Sequence, residues 1–128
     1  QLNVLGVTDL TSAQRILNYS TSDLTLNSVV AGDFLEGNTA PMFISEVIDD
    51  SANNSTSLKI FTSTLSADKP SVSGDGILAT LNFTIESSSQ DDIISILSFD
   101  EIASQILLDI NGNQITTEQT VDGYFINE

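Results

Sequence analysis

Between Gly76 and Glu86, apolar and polar side chains alternate. Ile77, Ala79, Leu81, Phe83 and Ile85 fall on one parity, and Leu78, Thr80, Asn82 and Thr84 on the other. A period of two sends successive side chains to opposite faces of an extended chain, and β-branched Thr fits a pleated surface. The segment is predicted as a long strand with one face buried. Shorter stretches at Leu2–Val7, Ala13–Tyr19, Leu24–Val30, Met42–Ile48, Leu58–Leu65, Ile93–Phe99, Gln105–Ile110 and Val121–Asn127 carry the same signal. Between them stand runs that favour turns: Ser20 to Asp23, Gly32-Asp33, Asp49 to Thr56, Asp68-Lys69-Pro70, Ser87 to Asp92 and Asn111-Gly112. Asn111-Gly112 is expected at a hairpin tip, because both residues tolerate positive φ. The helical signal is limited to one short turn at Asp100 to Gln105. Strands separated by turns predict an all-β, two-sheet antiparallel sandwich forming one domain.

Composition sharpens this picture. A chain of 128 residues buries a core without covalent staples, and 40% of it is apolar. With six Phe, two Tyr and no Trp, that core is mainly Ile, Leu and Val. Arg15, Lys59 and Lys69 oppose 18 acidic residues, for a net charge of -15. Such a field repels phosphate backbones and anionic lipid, so nucleic acid and membrane surfaces are excluded as partners. It favours cations or a basic partner, while the plainer reading is solubility or adaptation to salty water. No apolar run approaches the roughly 18 residues of a membrane span, so no membrane insertion is expected. The first residues lack a basic start followed by an apolar stretch, so any signal peptide is expected to have been removed.

Candidate chemistry is sparse. His and Cys are absent, which removes the commonest general bases, nucleophiles, thiolate ligands and disulfides. Carboxylate doublets at Asp49-Asp50, Asp91-Asp92 and Asp100-Glu101 stand where turns are expected, and solvation explains them. The chain is therefore expected not to be an enzyme, and the missing Trp argues against carbohydrate binding. No cofactor is expected. Calcium needs only oxygen ligands, and Asp49, Asp50 and Asn53 offer an unspecific loop site for it. Asp109-Ile110-Asn111-Gly112-Asn113 fails as an EF-hand loop, with Gly at the fourth position and Thr120 at the twelfth. Of the sequons at Asn18, Asn53, Asn54 and Asn82, those at Asn18 and Asn82 lie inside predicted strands, where chance explains them.

The order of segments carries further information. Leu17-Asn18-Tyr19-Ser20, then Leu24-Thr25-Leu26, Val29 and Ala31-Gly32-Asp33-Phe34-Leu35 resemble a stretch of cohesin modules. Ser73-Gly74-Asp75-Gly76-Ile77-Leu78-Ala79-Thr80-Leu81-Asn82-Phe83-Thr84 is similar to a later strand of that family. Leu108 to Asn113 and Val121 to Ile126 are similar to its close. The resemblance implies a jelly-roll sandwich at the cell surface or outside the cell, binding dockerin, a small calcium-loaded helical module. It implies contact through the sheet face of Ala13–Tyr19, Met42–Ile48, Leu58–Leu65 and Ile93–Phe99. If Leu17 and Tyr19 point inward, Gln14, Ile16 and Asn18 point outward, joined by Lys59, Phe61, Ile96 and Ser98. Ile16, Phe61 and Ile96 would form the apolar centre.

Three departures from the family pattern stand out. Arg15 occupies an alternation position that cohesins fill with an apolar residue, so it is expected at a sheet rim or paired with a carboxylate. Serine follows Tyr19 where Asp is usual. The resemblance implies a further strand before the segment matching Leu2–Val7; either the sequence is cut there or another segment fills the gap, and Leu2, Val4 and Val7 are expected to form a strand-addition edge. Neighbouring identical subunits filling that edge would make the chain a structural subunit of an extracellular filament or surface layer, as the alternative to docking.

Overall fold

The computed structural model describes residues 1–50, 55–86, 93–99, 105–117 and 119–127. Among the described residues there are eight strands: β1 Leu2–Ser20, β2 Leu24–Ala31, β3 Met42–Asp50, β4 Ser55–Ser63, β5 Val72–Ile85, β6 Ile93–Phe99, β7 Ile106–Asp109 and β8 Gly123–Asn127. Every strand pairing is antiparallel.

β1 organises the molecule. The sequence predicts two strands, Leu2–Val7 and Ala13–Tyr19, and the structure joins them into one. Between them the backbone is irregular: Gly6 and Asp9 take φ of 62° and 52°, and the pairing with β5 shifts register. Side chains hold the irregular stretch in place. Asp75 Oδ1 accepts from the Gly6 amide at 2.6 Å, and Ser73 Oγ from the Asp9 amide at 2.9 Å. Such bulges let a strand change direction without ending. Leu2–Leu10 thus pairs with β5, while Ser12–Ser20 pairs with β4 on one side and with β7 and β6 on the other. The path runs β2-β5-β1-β4-β3, with β8 paired to β6.

Two layers result, sharing β1, and the core lies between them. Ala13, Leu17 and Tyr19 from β1 are buried with Leu58 and Ile60 from β4, Leu107 from β7, and Leu24 and Ala79 from the other layer. The alternation in β5 is only partly one-sided. Leu78, on the parity predicted to be polar, is as buried as Ala79, while Ile85 is 47% exposed. Near the start of that strand the Phe34 ring lies against Gly76, 2.1 Å from where a Cβ would stand. Side chains from a connecting loop therefore cover the nominally outer side of β5 there.

Two local expectations have clear outcomes. Gly112, at φ 79°, donates to the Asp109 carbonyl, and Asp109 Oδ1 accepts from the Asn111 and Asn113 amides. That closes the predicted hairpin. Asp49 and Asp50, expected in a loop, instead continue β3 opposite Thr56 and Ser55. The doublets Asp91-Asp92 and Asp100-Glu101 lie outside the described residues, as does the predicted helical turn apart from Gln105.

Candidate docking face

The register of four neighbouring strands assembles one sheet face row by row. Ile44, Phe61, Gln14 and Ile106 lie abreast across β3, β4, β1 and β7. Glu46, Lys59 and Ile16 form the next row. Ile48, Ser57, Asn18 and Ser98 form the third, the last contributed by β6. Ile96, two residues before Ser98, shares its side by alternation and is 57% exposed. The structure therefore brings Gln14, Ile16, Asn18, Lys59, Phe61, Ile96 and Ser98 onto one face, opposite the buried set Ala13, Arg15, Leu17, Tyr19, Leu58 and Ile60.

Sequence reasoning named no residue of β3 for this face, although it placed the strand there. Met42, Ile44, Glu46 and Ile48 belong to it, and the three apolar ones are exposed. Their alternation is visible in the sequence, but their partners across β4 are not. A shallow hollow of about 220 Å³ lies among Gln14, Ile44, Glu46, Lys59 and Phe61. In the rows from Met42 to Ile48, Glu46 and Lys59 are the charged residues, opposite one another on adjacent strands.

Gln105 completes the sheet beneath Ile16. β6 leaves β1 at Phe99, opposite Leu17, and β7 joins it at Ile106, opposite Gln14. In the gap, Gln105 Oε1 accepts from the Ile16 amide at 3.3 Å, and Nε2 donates to the Ile16 carbonyl at 3.1 Å. A side-chain amide thus occupies the place of a strand backbone. On the same face, Ser57 Oγ donates to Asn18 Oδ1 at 2.6 Å.

Arg15 contradicts both expectations for it. It is buried, and among the described residues no carboxylate pairs with it. Its guanidinium stands 5.9 Å from the Phe99 ring centroid, and Nη1 lacks a hydrogen-bond partner. Burial lowers its pKa from the usual arginine range.

The remaining candidates fall elsewhere. Asp49 and Asp50 are ladder residues, Asn53 lies outside the described residues, and no group of three metal-ligating side chains is found among those described. Leu2 and Val4 turn their side chains into the core and Val7 is half-buried. What stays open at Leu2–Val7 is backbone: among the described residues, the edge away from β5 is unpaired.

Comparison with known proteins agrees with this architecture. No curated protein sequence matches the chain. A non-cellulosomal cohesin from the archaeon Archaeoglobus fulgidus superposes with a TM-score of 0.71 at 20% identity, covering 96% of this chain and 74% of its own. CaCohA2 from Clostridium acetobutylicum gives 0.74 at 22% identity, covering 98% and 80%. The sixth cohesin of Acetivibrio cellulolyticus scaffoldin B, solved in complex with a dockerin, gives 0.75 at 19% identity, covering 99% and 89%. The sequence profile of the cohesin domain matches residues 1–125. The chain therefore belongs to the cohesin domain family, whose members are non-catalytic protein-docking modules.

Proposed function

We propose that this module holds a dockerin-type helical partner outside the cell, through the face built from β3, β4, β1 and β6. One observation carries the reading. In a chain of net charge -15, the rows of this face from Met42 to Ile48 present one opposed charge pair, Glu46 and Lys59, beside Ile16, Ile44, Ile48, Phe61 and Ile96. A patch depleted of charge and rich in large apolar side chains is the makeup of an interface centre. With strands about 4.8 Å apart and alternate residues about 7 Å apart, the diagonal Ile44–Phe61–Ile16–Ile96 spans roughly 25 Å. That is the length of about 16 helical residues at 1.5 Å each. The dockerin complexes of solved relatives support a partner of this kind.

The test is titration with a panel of calcium-loaded dockerins, followed by Phe61→Ala and Ile16→Asp. Each substitution is expected to weaken the tightest pair by about thirtyfold or more, as central interface residues do. Retention of no dockerin, or full affinity in both variants, would sink the reading.

A second reading rests on the open backbone edge of β1 at Leu2–Val7. An extended segment from a neighbouring identical subunit fits such an edge and would turn the module into a filament or surface-layer building block. It predicts assembly on concentration. A monomer at all concentrations that melts cooperatively counts against it.

A further inference from the structure

β3 is nine residues long and pairs with β4 without interruption, from Met42 opposite Ser63 to Asp50 opposite Ser55. Among the described residues nothing pairs with its other edge. Edge strands of stable monomers are usually blunted by shortness, a bulge, lysine or proline. β3 has no register shift and no Lys, and Pro41 stands just before it.

Its side chains are apolar on both faces. Met42, Ile44 and Ile48 project with the docking face. Val47 projects the other way, on the parity that buries Leu58 and Ile60 in β4, yet it is 53% exposed. Ser45 and Asp49, on the same side, are exposed as well. The opposing layer therefore reaches β3 at Phe43, which packs against the core, but stops short of Ser45 to Asp49, and docking through the outer face does not account for Val47.

We propose that the free edge of β3 accepts an extended segment of another protein, an apolar run carrying two basic residues three positions apart. Hydrogen bonds to the free N–H and C=O groups would extend the sheet, with Ile44 and Ile48 covered on one side and Val47 on the other. The charge pattern selects the occupant. β3 carries Glu46 and, at its end, Asp50 on one parity and Asp49 on the other, with Glu46 and Asp49 three residues apart, and no cation. A strand with lysines at that spacing places one opposite charge on each face. A second copy of this chain brings its own Glu46 and Asp49, in a molecule already at -15, so self-pairing meets repulsion.

The probe is the synthetic peptide acetyl-Val-Lys-Ile-Val-Lys-Val-amide, with a control in which glutamate replaces both lysines. Amide shifts of the labelled protein are followed during titration. The lysine peptide is expected to move β3 resonances and to bind about tenfold or more tighter than the control, less so as salt is added. Val47→Lys, on the side away from the docking face, should abolish peptide binding while leaving dockerin affinity unchanged. Phe61→Ala should do the reverse, so the two sites fail separately. Equal binding of both peptides, shifts confined to strands other than β3, undiminished binding by Val47→Lys, or dimerisation through β3 without peptide would each overturn the proposal.

Discussion

The ring of Tyr19 stands edge-on to that of Phe83, with centroids 5.2 Å apart and planes 70° apart. Tyr19 belongs to the half of β1 that pairs with β4, and Phe83 to β5, so this contact ties one layer to the other. Such an arrangement sets the positive edge of one ring against the negative face of its neighbour. Burial, and then the charge of Asp49, raise the Tyr19 pKa above the usual 10.0. The neutral phenol is thus the form that suits the folded state. A raised folded-state pKa contributes stability that is fully present below about pH 10 and is lost as pH rises through the folded value. Urea midpoints should hold steady up to about pH 9 and fall above pH 10, with Tyr19→Phe losing less over the same range. An identical alkaline decline in both proteins would remove Tyr19 from the account.

Arg15 gives the second prediction. A buried guanidinium with an unpartnered Nη1 costs more than its contact with Phe99 returns: an unsatisfied charged donor costs above about 1–3 kcal/mol, against about 0.5–2 kcal/mol for a cation over an aromatic ring. Methionine keeps the unbranched stem and removes the charge. Arg15→Met is expected to raise stability by about 1–3 kcal/mol, in the manner of buried ionic groups replaced by apolar ones. Chemical denaturation with an unchanged slope would measure it, and a less stable variant would show that the charge is compensated in the fold.

These two residues also mark how far the sequence could be read. The parity of Ala13, Arg15, Leu17 and Tyr19 was legible, because alternation depends only on the strand being extended. The outward positions Gln14, Ile16 and Asn18 followed from it. The burial of Arg15 was not legible, because alternation assigns a face and says nothing about whether a charge on that face reaches a rim. The continuity of β1 was hidden for a related reason. Alternation lapses between Val7 and Ala13, so the sequence breaks the strand there, whereas Asp75 and Ser73, more than sixty residues away, hold Gly6 and Asp9 in a bulge that carries the strand on. Ile44 and Ile48 join the candidate face through the register between β3 and β4, which no local pattern encodes.

Gln105 bears on the same face through the backbone of Ile16. Replacing it with alanine leaves the Ile16 amide and carbonyl without the side chain that satisfies them, at a site where Gln105 itself is buried. The expected cost is about 1–3 kcal/mol. Amide exchange at Ile16 should accelerate more than at Leu58 or Ile60, which are held by β4 against β1 and β3. Uniform acceleration across the sheet would instead indicate a purely global loss of stability.

Salt dependence follows from the charge distribution. Of three cations, Arg15 is buried and Lys69 donates to the Glu36 carbonyl at 2.9 Å, while Lys59 sits within the candidate face opposite Glu46. Little positive charge is left to offset acidic side chains spread over the rest of the surface. At 10 mM salt the screening length is about 30 Å, longer than the radius of a domain this size, so these charges repel across the whole molecule; at 1 M it is about 3 Å and distant pairs vanish. The folded state suffers more than the expanded chain, because compaction brings like charges together. The melting temperature is therefore expected to rise by about 10 °C between these conditions, equivalent to roughly 2–3 kcal/mol. Sodium and potassium chloride should act alike, since screening depends on ionic strength. The double variant Asp33→Asn with Glu36→Gln should melt higher than the parent at 10 mM and equally at 1 M. A melting point indifferent to chloride salts would mean that the acidic groups are too widely spaced to oppose folding.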